Sequence, residues 1–250
     1  MQEIKPVSFE DLKQIFCGSD FTKRLSQAAN ETLKYHDETQ FNILRALFAD
    51  RLIYGDVVSK TDVMDNPESS ADGHCLAGVG AFKEKEDFDV NMTGEELDLV
   101  KGEIFPLVMY HTHPYHYSSV PSVDDLYHLA WERRRTYDNS YGNAFDNLPL
   151  LVIGSIPNRK RLDLLVIQER LKRPMRKKIA VDISQQVEEH LNYDPSDNRV
   201  IVNILDTIPE LKATLLSYRL DRDGIYRISE RELRKLEKFS YTPTLLPKNP

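Results

Sequence analysis

The residues best suited to chemistry lie in one stretch, His111-Thr112-His113-Pro114, followed by Pro121-Ser122-Val123-Asp124-Asp125-Leu126. Phe105 to His113 reads as a strand, entered through Pro106 and stopped by Pro114. On a strand, residues i and i+2 project to the same face, so His111 and His113 point together where the strand ends. Two neutral imidazoles at that spacing make half of a zinc site. A carboxylate in the first turn of the next helix supplies a third ligand. The fourth position then stays open to water, as in catalytic rather than structural zinc centres. The helix start is legible because Ser122 and Asp125 have the spacing of a capping box. The helix runs to about Arg134, where Arg133, Arg134 and Arg135 suit the negative end of its dipole. Each part alone has an ordinary reading: His-x-His pairs often pack or face solvent, and Ser-x-x-Asp is often only a cap. The inference rests on their joint order of strand, His-x-His-Pro, loop, Pro-Ser-x-x-Asp-Leu and helix.

That order resembles the JAMM, or MPN-plus (JAB domain), zinc metalloprotease family, with His111, His113, Pro114, Ser122 and Asp125 on the family's motif. The resemblance covers about Ile4 to Arg170 and is specific only at the motif. It implies an α/β fold of the MPN/JAB, cytidine-deaminase-like kind: a curved mixed sheet flanked by helices. It further implies zinc held by His111, His113 and Asp125, and cleavage of an amide or isopeptide bond to ubiquitin or a ubiquitin-like protein. The loop between His113 and Ser122 is one residue longer than the family's, so Asp124 stays open as the aspartate ligand. The family also needs an upstream glutamate between the first long helix and the first hairpin. Glu38 occupies that place and Glu68 is the second candidate. Its task is to take a proton from the attacking water and hand it to the leaving amine. Ser122, by the same resemblance, helps hold the oxyanion. Two other readings follow from the likeness: a scaffold that has kept the fold without activity, and a relative associated with DNA repair.

Around this motif the elements are read from caps and periodicity. Ser8 with Asp11 opens a short helix toward Phe16, and a longer helix covers Phe21 to about Tyr35. Phe41 to Ser59 fits either a hairpin, turning at Ala49-Asp50, or a helix with Phe41, Leu44, Leu47, Phe48 and Leu52 on one face. The hairpin is preferred because it puts Glu38 just ahead of a strand. Leu76 to Phe82 is a weaker strand, and Thr93 with Glu96 opens a helix to about Glu103. Leu148–Ile156 and Leu162–Gln168 form a strand pair across a polar turn. Beyond Gln168 a mostly helical extension is expected over residues 171–241, after a metalloprotease domain at 1–170, with a disordered tail at 242–250. Lys60–His74 and Arg135–Asn147 read as loops that would set specificity.

Asp221 to Glu232 has partial calcium-loop spacing, but Ile225 and Tyr226 stand where a ligand and the turn glycine belong. A turn at Asp223-Gly224, a short strand and a helix capped by Ser229 toward Phe239 is the preferred reading. The 250 residues contain 40% hydrophobic and 29% charged residues, which excludes wholesale disorder. The net charge of −7 does not suit a phosphate-backbone binder. Cys17 and Cys75 are too few for a disulfide scaffold, and Cys75 has no second cysteine near it to share a metal. No apolar run approaches the ~20 residues of a membrane helix. The N-terminal residues lack the pattern of a signal peptide, so a cytoplasmic location is expected.

Overall fold

The computed structural model describes residues 7–46, 51–59, 104–113, 120–123, 125, 126, 129, 149–169, 181–183, 185, 186, 189 and 198–240. Eight strands form one mixed sheet: β1 (Thr39–Ala46), β2 (Arg51–Tyr54), β3 (Val58–Ser59), β4 (Ile104–Thr112), β5 (Leu150–Asn158), β6 (Arg161–Glu169), β7 (Leu211–Leu220) and β8 (Tyr226–Ile228). Their order is β2-β1-β4-β5-β6-β7-β8, with β3 also on β1. Among the described residues only β4 and β5 pair in parallel. Helices flank both faces. The first face carries α1 (Phe9–Cys17), α2 (Ser19–Tyr35), α4 (Glu230–Leu233) and a 3₁₀ turn (Arg234–Phe239), and the second carries α3 (Asn198–Thr207).

Strand alternation divides the core. Val108 and Tyr110 of β4 join Phe41, Ile43, Val152, Leu164 and Val166 on the first face. Met109 joins Leu151, Ile153, Leu165 and Ile167 on the second, under Ile201 and Leu205 of α3. By the same period His111 points to the second face. The first-face helices are held by apolar stripes. Phe21, Leu25, Ala28 and Ala29 of α2 are all fully buried, and each large one contributes roughly 1.5–3 kcal/mol. Ser8 and Asp11 form the expected capping box at α1.

The end of β4 that bears the histidines is pinned from the first face by hydroxyls. Thr112 Oγ1 donates to Tyr110 Oη at 2.7 Å, and Thr39 Oγ1 lies 3.3 Å from Thr112 Oγ1, 2.9 Å from Thr32 Oγ1 and 3.1 Å from the Ala28 carbonyl. α2 stops just upstream because His36 adopts a left-handed conformation (φ 56°), turning the chain toward Asp37 and Glu38. The strand pairing of the expected hairpin is present, β1 running antiparallel to β2 and β3, while the expected turn at Ala49-Asp50 lies outside the described residues. A bulge interrupts β1–β4 pairing next to Pro106, which has no N–H to donate.

The C-terminal part differs from the helical extension expected. Leu211–Leu220 is a strand paired with β6 from Leu211 to Arg219, and β8 continues the same sheet. Leu233, Leu236 and Phe239 belong to the core that also contains Phe16 and Phe21. The turn at Asp223-Gly224, the short strand and the Ser229 cap are found as expected. The expected elements Leu76–Phe82 and Thr93–Glu103, the loops Lys60–His74 and Arg135–Asn147 and the tail 242–250 lie outside the described residues.

Candidate metal centre

His111 is delivered by β4 and is buried, 5% exposed. His113 follows immediately, its N–H donating to the Gly154 carbonyl at 2.9 Å, which ties the strand end to β5. The third residue comes from the crossover between the two parallel strands. Residues 123, 125, 126 and 129 are helical, and Leu126 and Leu129 sink into the second-face core beside Met109 and Ile153. That packing turns the first turn of the helix against His111. Ser122 and Asp125 cap it reciprocally: the Ser122 N–H donates to Asp125 Oδ2 at 2.7 Å, and the Asp125 N–H donates to Ser122 Oγ at 3.1 Å. The cap leaves Oδ1 of Asp125 facing His111 Nε2 at 3.4 Å.

His111 Nε2 also lies 3.2 Å from His113 Nε2, and one ligand atom from each of His111, His113 and Asp125 falls within 4.8 Å of the others. A tetrahedral ion with ~2.0–2.1 Å bonds to nitrogen requires donor atoms about 3.3 Å apart. The two close spacings match that value, so the group can hold a metal ion. Burial on its own would push the Asp125 carboxyl up. The charge of His111 foremost, then the Ser122 N–H, His113 and the Ser122 hydroxyl, outweigh it and hold the carboxyl below its ordinary range. The site therefore favours an anionic oxygen beside two imidazoles, which is the donor set a divalent cation needs.

Glu38 precedes β1 directly. Thr39 pairs with Thr112 and Gln40 with His111. Continuing that register by one residue sets Glu38 opposite His113, on the face that carries both imidazoles. Glu38 is half-buried and is not one of the residues within ligand distance of each other. Asp125 is the aspartate brought to the histidines. Asp124, Glu68 and Cys75 lie outside the described residues.

Several neighbours escaped the sequence reading. The β4–β5 register sets Ser155 beside His113, and Asn198 at the start of α3 donates to Ser155 Oγ at 2.7 Å. Farther along the same row, buried Asp163 accepts from Arg161 Nε and Ser217 Oγ, both at 2.7 Å. Gln40, 3% exposed, is the cross-strand partner of His111. A period-two signal for it existed: Glu38, Gln40 and Asn42 alternate with apolar Phe41 and Ile43. The loop of Asp221 is not a calcium site in form. Asp221 Oδ1 accepts the N–H groups of Asp223 at 2.8 Å and Ile225 at 3.2 Å, and Oδ2 pairs with Arg227. No helix among the described residues is long and apolar enough to cross a membrane. Compared with known protein families, curated proteins and solved structures, the chain matches none.

Proposed function

We propose that this chain is a zinc-dependent hydrolase of the JAMM/MPN-plus kind, with the MPN/JAB fold, that cleaves an amide or isopeptide bond. The observation that carries the reading is the convergence of His111, His113 and Asp125, with His111 Nε2 at tetrahedral donor spacing from both His113 Nε2 and Asp125 Oδ1 and all three ligand atoms within 4.8 Å of one another. A zinc ion held there supplies Lewis acidity to a scissile carbonyl and lowers the pKa of water toward ~7. The remaining work falls to the chain. Glu38, set in line with His113, takes a proton from the attacking water on its carboxylate and returns it to the leaving amine. Ser122 already accepts at Oγ from the Asp125 N–H, so its hydroxyl hydrogen is left to donate toward an oxyanion. The ordered strand end and the capped helix hold these groups before substrate arrives, which limits reorganisation in the transition state.

The substrate class follows from the motif's resemblance: ubiquitin or a ubiquitin-like protein released from a conjugate or a C-terminally extended precursor, in the cytoplasm. The first experiment measures zinc content in the purified chain. About one zinc per chain, lost in His111→Ala and in His113→Ala, is expected; full occupancy in both variants refutes the site. The second screens ubiquitin-like conjugates and precursors. Glu38→Gln should keep zinc and folding while turnover falls by ~10²–10⁴ with little change in KM. If a substrate is cleaved equally fast by Glu38→Gln, the base lies elsewhere. A wild type that holds zinc and cleaves none of these substrates points to the scaffold.

A further inference from the structure

The side-chain oxygen Oε1 of Gln40 is buried and has no hydrogen-bond partner among the described residues. An orphan buried acceptor is costly and calls for an explanation. Its surroundings supply one. Across the second face the register runs Val58, Gln40, His111, Ile153. Gln40 thus has an apolar neighbour on one side and His111 on the other. Directly paired residues in an antiparallel ladder hold their Cβ atoms about 4.5–5.5 Å apart, within reach of a glutamine amide. On its far side His111 meets Ile153, which offers no acceptor.

Both close polar contacts of His111, to His113 and to Asp125, run through Nε2. With no cation present, one ring nitrogen of the His111–His113 pair must carry the proton between them. In the metal-free arrangement Gln40 Oε1 makes no hydrogen bond to either ring nitrogen of His111; with the proton on Nε2, Nδ1 is a bare acceptor and nothing draws the amide toward it. A metal ion on Nε2 requires a lone pair there and leaves the proton on Nδ1, making Nδ1–H a buried donor in need of an acceptor. The orphan oxygen of Gln40 and the orphan N–H of the loaded imidazole are complementary.

We propose that Gln40 is the positioning residue of His111: its Oε1 accepts the Nδ1 proton of the metal-loaded imidazole, fixing the tautomer and aiming Nε2 at the ion. The proposal rests on the metal reading above and adds to it a group outside the motif. It makes Gln40 a determinant of metal affinity rather than of the bond-breaking step. It also accounts for a polar side chain on the buried face of β1 where an apolar one would pack without cost.

Two variants test it in the full chain, with zinc as the probe. Gln40→Met keeps length and volume but removes the acceptor, and Gln40→Glu keeps an acceptor. Chelator competition should show zinc binding weakened about 10–100-fold in Gln40→Met and retained in Gln40→Glu. Nitrogen-15 spectra of the zinc-loaded wild type should show His111 protonated on Nδ1, with slow exchange of that proton. Exchange should become fast in Gln40→Met. The zinc-free Gln40→Met chain should melt at the same temperature as wild type or higher, because an orphan acceptor has gone; a purely structural role would lower it. Unchanged zinc affinity and unchanged Nδ1–H exchange in Gln40→Met overturn the proposal and leave the metal site standing. A loaded His111 protonated on Nε2 does the same. A wild type that binds no zinc overturns both. Should Gln40→Met not fold, Gln40→Glu decides: the Nδ1 proton must move downfield against the carboxylate, and an unmoved resonance overturns the proposal.

Discussion

Gly154 sits beside the metal centre yet touches it only through its backbone, so a methyl group added there probes the strand that carries the histidines. A Cβ at Gly154 would stand 2.6 Å from Tyr110 Oη, 3.2 Å from Cζ and 3.3 Å from Cε2, on the face opposite the imidazoles. Tyr110 is fully buried among packed rings, with Phe41 at 4.5 Å between centroids, so it cannot step aside freely. Gly154→Ala must displace the ring, at about 1–3 kcal/mol for overpacking. Displacement also breaks the bond from Thr112 Oγ1, about 1 kcal/mol more. A total of about 2–4 kcal/mol lowers Tm by ~4–16 °C in a chain of this size. Tyr110→Phe removes the closest atom and leaves the 3.2 Å contact, so in that background the added methyl should cost only about 1 kcal/mol. Urea unfolding of wild type, both single variants and the double variant gives the coupling energy, expected at about 1–3 kcal/mol. If the two costs add within ~0.5 kcal/mol, Tyr110 does not lie against Gly154 and the packing argument fails.

Three further outcomes can be checked. Burial holds the hydroxyls of Tyr110 and Tyr218 protonated above the ordinary range, so the folded chain keeps protons that the unfolded chain releases. Stability is then full below pH ~10 and falls above it, by up to ~2.7 kcal/mol per pH unit for the pair, and Tyr218→Phe should lower the slope of unfolding free energy against pH by up to ~1.4 kcal/mol per pH unit. His36→Gly should be neutral or stabilising by ~1 kcal/mol and His36→Val destabilising by ~1–2 kcal/mol in the same assay, because the φ of 56° suits glycine and strains a β-branched residue. Calorimetric titration should show no tight, stoichiometric calcium binding at micromolar levels, since Asp221 is already committed to Asp223, Ile225 and Arg227; stoichiometric heat that Glu232→Gln removes would refute this.

What could be read from the sequence was what is local. Capping boxes span four residues, and both Ser8–Asp11 and Ser122–Asp125 are where their spacing put them. The place of Asp125 is also a local matter: its N–H and carboxylate both engage Ser122. Long-range register was not legible. Nothing near Gln40 in the chain announces that it faces a histidine 71 positions later, and the pairing exists only because β1 and β4 meet. β7 misled for another reason. Leu211, Leu215 and Tyr218 have helical spacing, yet the strand is buried on both faces, so its apolar residues need no alternation.

The sheet ends on short strands: four residues of β2 at one side and three of β8 at the other. Its long ladders are internal, with all nine residues of β6 matched to β7. β8 pairs only Tyr218–Leu220 of β7, and along the rest of that edge side chains take backbone groups: Asp206 accepts from the Ala213 N–H, Glu232 from the Ser217 N–H, and Lys235 donates to the Leu215 carbonyl, which guards against intermolecular strand addition. The protection depends on the last third of the chain. A chain cut near residue 170 would lose β7 and β8 and bare β6 as a long, flat, apolar edge carrying Leu164, Leu165, Val166 and Ile167. Such a fragment would carry the whole metal motif and still present an aggregation-prone edge.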